Sequence, residues 1–427
     1  MDLVNLPELV KNVGLVVLSL WWLWLPLFLF VFFFQTWLYY IRRKWWTSIE
    51  WSLLEIKPPR EIEQSPKITE AIFAALWAIQ GTVSTKVDKY IKGVLQHYIS
   101  FEIIGRHGQI HFFVRTPTIF RGFVEAKIYA EYPKAEISSA QDYVGDLPFG
   151  VLDKDWDLWG TVLQLAKPNP YPIKTYEEFI DVVPIKQPFI DPISNLLEVL
   201  NKLRPGEQAW IQIFIRPAGD DWLAEGKKEV DKLIGKPAAK KSNIIFDEFK
   251  GWIPAAGAVI SELISGKAAE LGAEVKKEKE EMPSKMQYLS PGDKDVVAAV
   301  EKKISKRAYE TKINLLYFGK KDLFFKPTVS ALNGFFGQFA TTNMNAFKPN
   351  ARFTTKAYYL FAERRLAFKK RIMLRLCQQR SFSEKGFVLN PEELASVWHF
   401  PTIVVQAPMA PVVEAKKGTP PPELPVA

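Results

Sequence analysis

The sequence predicts an α+β protein in which an N-terminal transmembrane helix precedes two ferredoxin-like βαββαβ modules, the second carrying a helical insertion. Three observations predict it. A charge-free apolar run fills Val13 to Phe34, long enough to span a bilayer as a helix. Strand and helix periods alternate as β-α-β-β-α-β between Trp51 and Tyr143, the order of a ferredoxin-like unit. A looser copy of that order runs from Leu158 to Phe339. One larger α+β domain is the alternative.

The apolar run leads into Trp37, Tyr39 and Tyr40, then Arg42, Arg43, Lys44, Trp45 and Trp46. Aromatic residues and cations at one end of an apolar helix belong at a membrane interface, and the cations belong on the cytoplasmic side. Arg42, Arg43, Lys44, Trp45 and Trp46 are the expected interface anchors. The run is too long for a cleaved signal peptide, and no small-residue cleavage site follows it.

Trp51 to Pro59 reads as a strand closed by prolines. Ser65 and Pro66 open a helix whose apolar residues Ile72, Phe73, Leu76 and Ile79 recur at helical spacing up to Gly81. His97 to Pro117 reads as a hairpin turning at Gly105–Gly108. Thr118 to Pro133 is helical, and Ala135 to Tyr143 is a short strand.

The second copy places strands at Leu158 to Ala166, Glu207 to Pro217 and Glu310 to Gly319. Its helices are Asp191 to Gly206, capped by Asp191, and Lys326 to Phe339. Between them, about 218–307 is Lys/Glu-rich and helical. Within it, Phe249 to Glu281 reads as a charged surface helix, with an interfacial amphipathic helix as the alternative. Asn390 caps a last helix with Pro391 in its first position.

These readings divide the chain into a short extracytoplasmic N-terminus (1–12), a transmembrane helix (13–41), a first module (48–145) and a second (155–355). A basic segment with the C-terminal helix (356–403) and a Pro-rich tail (404–427) complete it.

Composition narrows the function. Hydrophobic residues at 48% with charged residues at 24% belong to a folded chain rather than a disordered one. The net charge of +9 favours an anionic neighbour, either nucleic acid or lipid headgroups. The single cysteine, Cys377, excludes a disulfide framework and a cysteine-based zinc site. No GxxxxGK[ST] phosphate loop occurs, and the spaced glycines of Gly334 to Asn343 lack its lysine. His107 and His111 are four apart across a hairpin turn, which does not converge them on a metal. No Ser/His/Asp ordering stands out. The reading contains no catalytic, cofactor-binding or metal-binding residue.

The stretch Glu363 to Arg380 sets seven cations against Glu363. Leu366, Ile372, Met373 and Leu376 give it an apolar side. Arg364, Arg365, Lys369, Lys370, Arg371 and Arg375 are the expected contacts to nucleic acid or another anion. A solvated helix face, or a face for an acidic partner, is the competing reading.

The order of these parts resembles a known family. The stretches that carry it are "SFEIIGRHGQIHFFVRTPTIFRGFVEAKIYAEYPKAEI", "DPISNLLEVLNKLRPGEQAWIQIFIRP", "LSPGDKDVVAAVEKKISKRAYETKINLLYFG" and "LNPEELASVWHFPT", behind an N-terminal anchor. The whole resembles the N-terminal region of bacterial membrane-anchored ATPases of the HerA/FtsK type, related to type IV secretion and conjugation motors. In those proteins a helix and Pro-rich linker lead into a P-loop domain, which this sequence lacks.

The resemblance implies a membrane-anchored, non-enzymatic adaptor or assembly component of such a translocation system. It would sit in the cytoplasmic membrane by a single pass, N-terminus outside, and dock a separate P-loop ATPase. The implied partners are the lipid bilayer, that ATPase and, by analogy with ring-forming motors, further copies of the chain. The alternative is a membrane-tethered module that binds nucleic acid through its basic surface.

Overall fold

In a computed structural model of the chain, residues 19, 21–59, 65–79, 85–146, 155–179, 191–219, 221–235, 289–382 and 386–401 are described. Among the described residues, nine strands make one sheet: β1 (Trp51–Lys57), β2 (Ile99–Arg106), β3 (Gln109–Pro117), β4 (Glu136–Ser139), β5 (Trp156–Leu165), β6 (Glu207–Pro217), β7 (Tyr309–Lys320), β8 (Phe347–Pro349) and β9 (Phe387–Leu389). Their order is β4-β1-β3-β2-β6-β7-β5-β8, with β9 also on β7.

The strands of each half follow one scheme, β4-β1-β3-β2 and, in mirror order, β8-β5-β7-β6. The halves are not separate modules. β2 and β6 pair antiparallel from Ile99↔Ile215 to Arg106↔Gln208, so a single ladder runs through the middle of the molecule. The reason is burial. Phe101, Ile103, Ile211 and Ile213 at this seam are at most 1% exposed, and either half alone would present them along an unpaired edge.

Alternation along the strands sends one row of side chains to each face. The first face is apolar. Ile99, Phe101 and Ile103 of β2 join Ile211, Ile213 and Ile215 of β6 in the main core. This face is covered by α2 (Lys67–Leu76), α3 (Arg121–Glu131), α4 (Ile193–Asn201), α7 (Lys326–Gly337) and α9 (Pro391–Val397). Asn390 caps α9 by accepting from Glu393 N, and the Glu393 carboxylate accepts in turn from Asn390 N, a reciprocal capping box. α5 (Asp221–Leu233) and α6 (Pro291–Ser305) pack on each other through Val230, Val296, Val297 and Val300. Most of the expected insertion, including Phe249 to Glu281, lies outside the described residues.

The expected transmembrane helix is corrected. Among the described residues, no helix is long and apolar enough to cross a membrane. Single-pass placement in the cytoplasmic membrane falls with it. Of the expected span, 13–18 and 20 lie outside the described residues. The described helix, α1 (Trp21–Thr47), carries Gln35, Thr36 and the Arg42-Arg43-Lys44 cluster within its length, and its last turns belong to the folded body. Ile41 is buried. Trp46 stacks on Tyr98 at 5.0 Å between ring centroids, and Trp45 meets the His97 ring at 5.2 Å. Gly93, at φ +68°, lets α1 approach so closely that a Cβ there would sit 2.6 Å from the Ile41 carbonyl carbon. Of the five expected interface anchors, Trp45 and Trp46 are therefore packing groups and Arg42 is half-buried, while Arg43 and Lys44 are exposed.

Candidate nucleic-acid interface

The second face of the sheet is polar at its centre. Ser100, Glu102, Gln212 and Asn314 point to it from β2, β6 and β7, all buried. It is covered by α8 (Ala362–Gln379), the basic segment singled out in the sequence. α8 is amphipathic, and its buried residues Met373 and Cys377 join Leu158, Val162, Leu316 and Phe318 in a second core. Gly160 of β5 makes this fit close, since a Cβ there would lie 2.6 Å from Met373 Cγ. Burial pushes the Cys377 thiol up to about 12, so this lone cysteine acts as a packed apolar group.

The six expected anion contacts fall into two sets. Three bond to other parts of the chain. Lys369 Nζ donates to the carbonyls of Ala351 (2.9 Å), Thr354 (3.1 Å) and Lys356 (3.1 Å). Lys370 Nζ pairs with Asp157 Oδ1. Arg365 Nη1 donates to Tyr358 O at 3.2 Å. These groups position the helix and the loop before it.

Arg364, Arg371 and Arg375 are exposed and hold no hydrogen bond or ion pair to the described residues. With Phe368 they occupy positions i, i+4, i+7 and i+11, one stripe of a 3.6-residue helix. The stripe is about 16 Å long at a rise of 1.5 Å per residue.

The loop leading into α8 presents Tyr358, Tyr359, Leu360 and Phe361, each more than half exposed, with Tyr359 at 91%. Tyr359 (φ 69°) and Phe361 (φ 55°) both adopt the left-handed conformation, which costs a bulky residue about 1–2 kcal/mol. Sequence reasoning centred on the cations and passed over these rings. Their signal was the run "AYYLF" directly before the basic stretch.

Arg380, past the last turn of α8, fastens the helix to the sheet. It is the last of the seven cations of the stretch but is buried, with its guanidinium on Glu102 and Asp142. Tyr98 Oη donates to its carbonyl. Burial alone would raise the Asp142 carboxyl, but hydrogen bonding and the charge of Arg380 outweigh it and hold it below the usual range.

The histidines are spread through the fold. His107 Nδ1 accepts from Gly206 N, His111 pairs with Glu55, and His399 bridges Ala395 O and Asp191. Among the described residues, no group of three or more His, Cys, Asp or Glu side chains could hold a metal ion.

The profile of one family, described as a domain of unknown function (DUF8128), matches residues 46–410. The chain belongs to the DUF8128 family. The matched DUF8128 region begins at the end of α1 and takes in the whole sheet, α8 and α9. No match to a curated protein was found.

Proposed function

We propose that this protein is a non-enzymatic binding module that grips nucleic acid through the outer stripe of α8. The observation that carries the reading is the division of labour along one helix. Lys369 and Lys370 are held by acceptors of the fold and Arg365 holds a carbonyl of the loop before the helix, whereas Arg364, Arg371 and Arg375 are aligned, exposed and unpaired among the described residues. A solvated helix face has no need of single-sign charge along one line, and no acid on α8 other than Glu363 offsets it. Phosphates spaced along a strand match a linear array of guanidiniums in charge and donor geometry.

The test is a salt series with a labelled oligonucleotide. Phosphate contacts release counterions, so affinity falls steeply with salt. Absence of binding at low salt would remove this reading.

Docking of a separate P-loop ATPase is a second proposal, and it rests on the family resemblance of the sequence. It predicts that such an ATPase co-purifies with the tagged full chain in stoichiometric amount. Recovery of the chain without one would count against it.

A further inference from the structure

We infer that the nucleic acid held at α8 is single-stranded, with unpaired bases stacked on the aromatic residues that flank the arginine stripe. The inference rests on the reading of α8 as a nucleic-acid contact and names the form of its ligand.

Three observations carry it. Phe368 stands within the arginine stripe, between Arg364 and Arg371, and is 65% exposed. A large apolar ring in a line of cations adds nothing to the grip on phosphates, but it offers a flat face to a base beside each phosphate. Next, Tyr358, Tyr359 and Phe361 project from the loop that opens the same helix, and none of them stacks on another ring among the described residues.

The loop is also held in a strained form. Left-handed backbone at Tyr359 and Phe361 persists only where the surroundings impose it. Here the surroundings include Lys369 Nζ, which gathers the carbonyls of Ala351, Thr354 and Lys356 in the segment before the loop, and Arg365, which holds the Tyr358 carbonyl. The fold thus commits two basic side chains to a loop whose rings are mostly exposed.

Duplex ligands do not fit this arrangement. Their bases already stack on one another, so exposed rings gain no partner from a duplex. Single strands offer free π-faces of any sequence, which predicts weak sequence preference.

The experiment uses the full chain and two probes, an oligothymidylate of about 16 nucleotides and a duplex of equal length. Each is titrated against the wild type, Phe368→Ala, Tyr359→Gly and the double variant Arg371→Ala/Arg375→Ala. The single strand is expected to bind the wild type more tightly. Phe368→Ala and Tyr359→Gly should each weaken single-strand binding about fivefold or more, leaving duplex binding and the salt slope unchanged. Both substitutions lie at exposed positions, and circular dichroism confirms folding. Equal affinity for duplex and single strand, or indifference to both aromatic substitutions, overturns the inference while the salt-dependent phosphate contact stands. Failure of both probes to bind at low salt overturns the phosphate contact itself.

Discussion

The guanidinium of Arg380 lies side-on against the carboxylate of Glu102, with Nε 2.8 Å from Oε1 and Nη2 3.2 Å from Oε2. Both side chains are buried, at 2% and 0% exposure. Glu102 sits on β2, in the first half of the sheet. It also accepts from Tyr143 Oη, which accepts from Gln212 Nε2 of β6, in the second half. One ion pair thus ties α8 to the seam where the two halves meet.

Removing one partner of such a pair leaves a buried charge uncompensated. Arg380→Ala is therefore expected to cost roughly 3–5 kcal/mol, read from urea denaturation. A loss below about 1 kcal/mol, the value of an exposed ion pair, would contradict this role.

Asp142 shares Arg380 with Glu102 and gives the acid limb of stability a predictable sign. Its native carboxyl lies below the usual value despite burial, because Arg380 hydrogen-bonds to it and supplies opposite charge. A depressed native value contributes stability that is fully present above the unfolded value and is lost as pH falls through the native one. The stability difference between wild type and Asp142→Asn should be constant near neutrality and shrink below about pH 4. A difference that grows on acidification would show the opposite linkage.

Lys303 and Glu393 form a second buried pair, 3.1 Å apart at 1% and 0% exposure. Burial lowers the lysine and raises the carboxyl. Lys303→Met leaves Glu393 buried without its cation, at an expected cost of roughly 3–5 kcal/mol near pH 8. A carboxyl raised in the native state recovers stability as pH falls and it takes up a proton, so the deficit should narrow toward about pH 5. Denaturation midpoints across that range check it. A deficit independent of pH would mean that lost packing, not charge, sets the cost.

Tyr359 tests whether presentation of the aromatic loop strains the fold. Its left-handed backbone suits glycine, and its ring is exposed. Tyr359→Gly is expected to leave stability unchanged or raise it by up to about 1 kcal/mol, measured by urea denaturation. A clear loss of stability would mean that the ring serves the fold rather than a ligand.

Much of the secondary structure was legible because it is encoded locally. Alternating apolar residues marked β2, β3, β6 and β7. His107 and Gly108, both at positive φ, close the hairpin inside the Gly105–Gly108 stretch that the sequence marked. Asn390, Pro391 and Glu393 form the cap that their spacing announces. Other local signals were overridden. Ser65 makes no capping hydrogen bond to α2, which begins at Lys67 after Pro66.

What the sequence concealed is long-range. No turn signal links β2 to β6, whose pairing merges the two expected modules into one sheet. Nothing local to Arg380 points to Glu102, 278 residues away. Hydropathy read the apolar run as a bilayer span, but it could not register that Ile41, Trp45 and Trp46 pack against Gly93, His97 and Tyr98. Counting cations likewise could not separate Lys369 and Lys370, bound within the fold, from Arg364, Arg371 and Arg375 on its surface.

The most direct test of the central claim is the salt dependence of oligothymidylate binding by wild type and by Arg371→Ala/Arg375→Ala. If these arginines contact phosphates, the slope of log affinity against log salt falls by about 0.7 per lost single-strand contact, or roughly 1.4 in the double variant. An unchanged slope, with wild-type affinity retained, would place the contact elsewhere and contradict the account of α8.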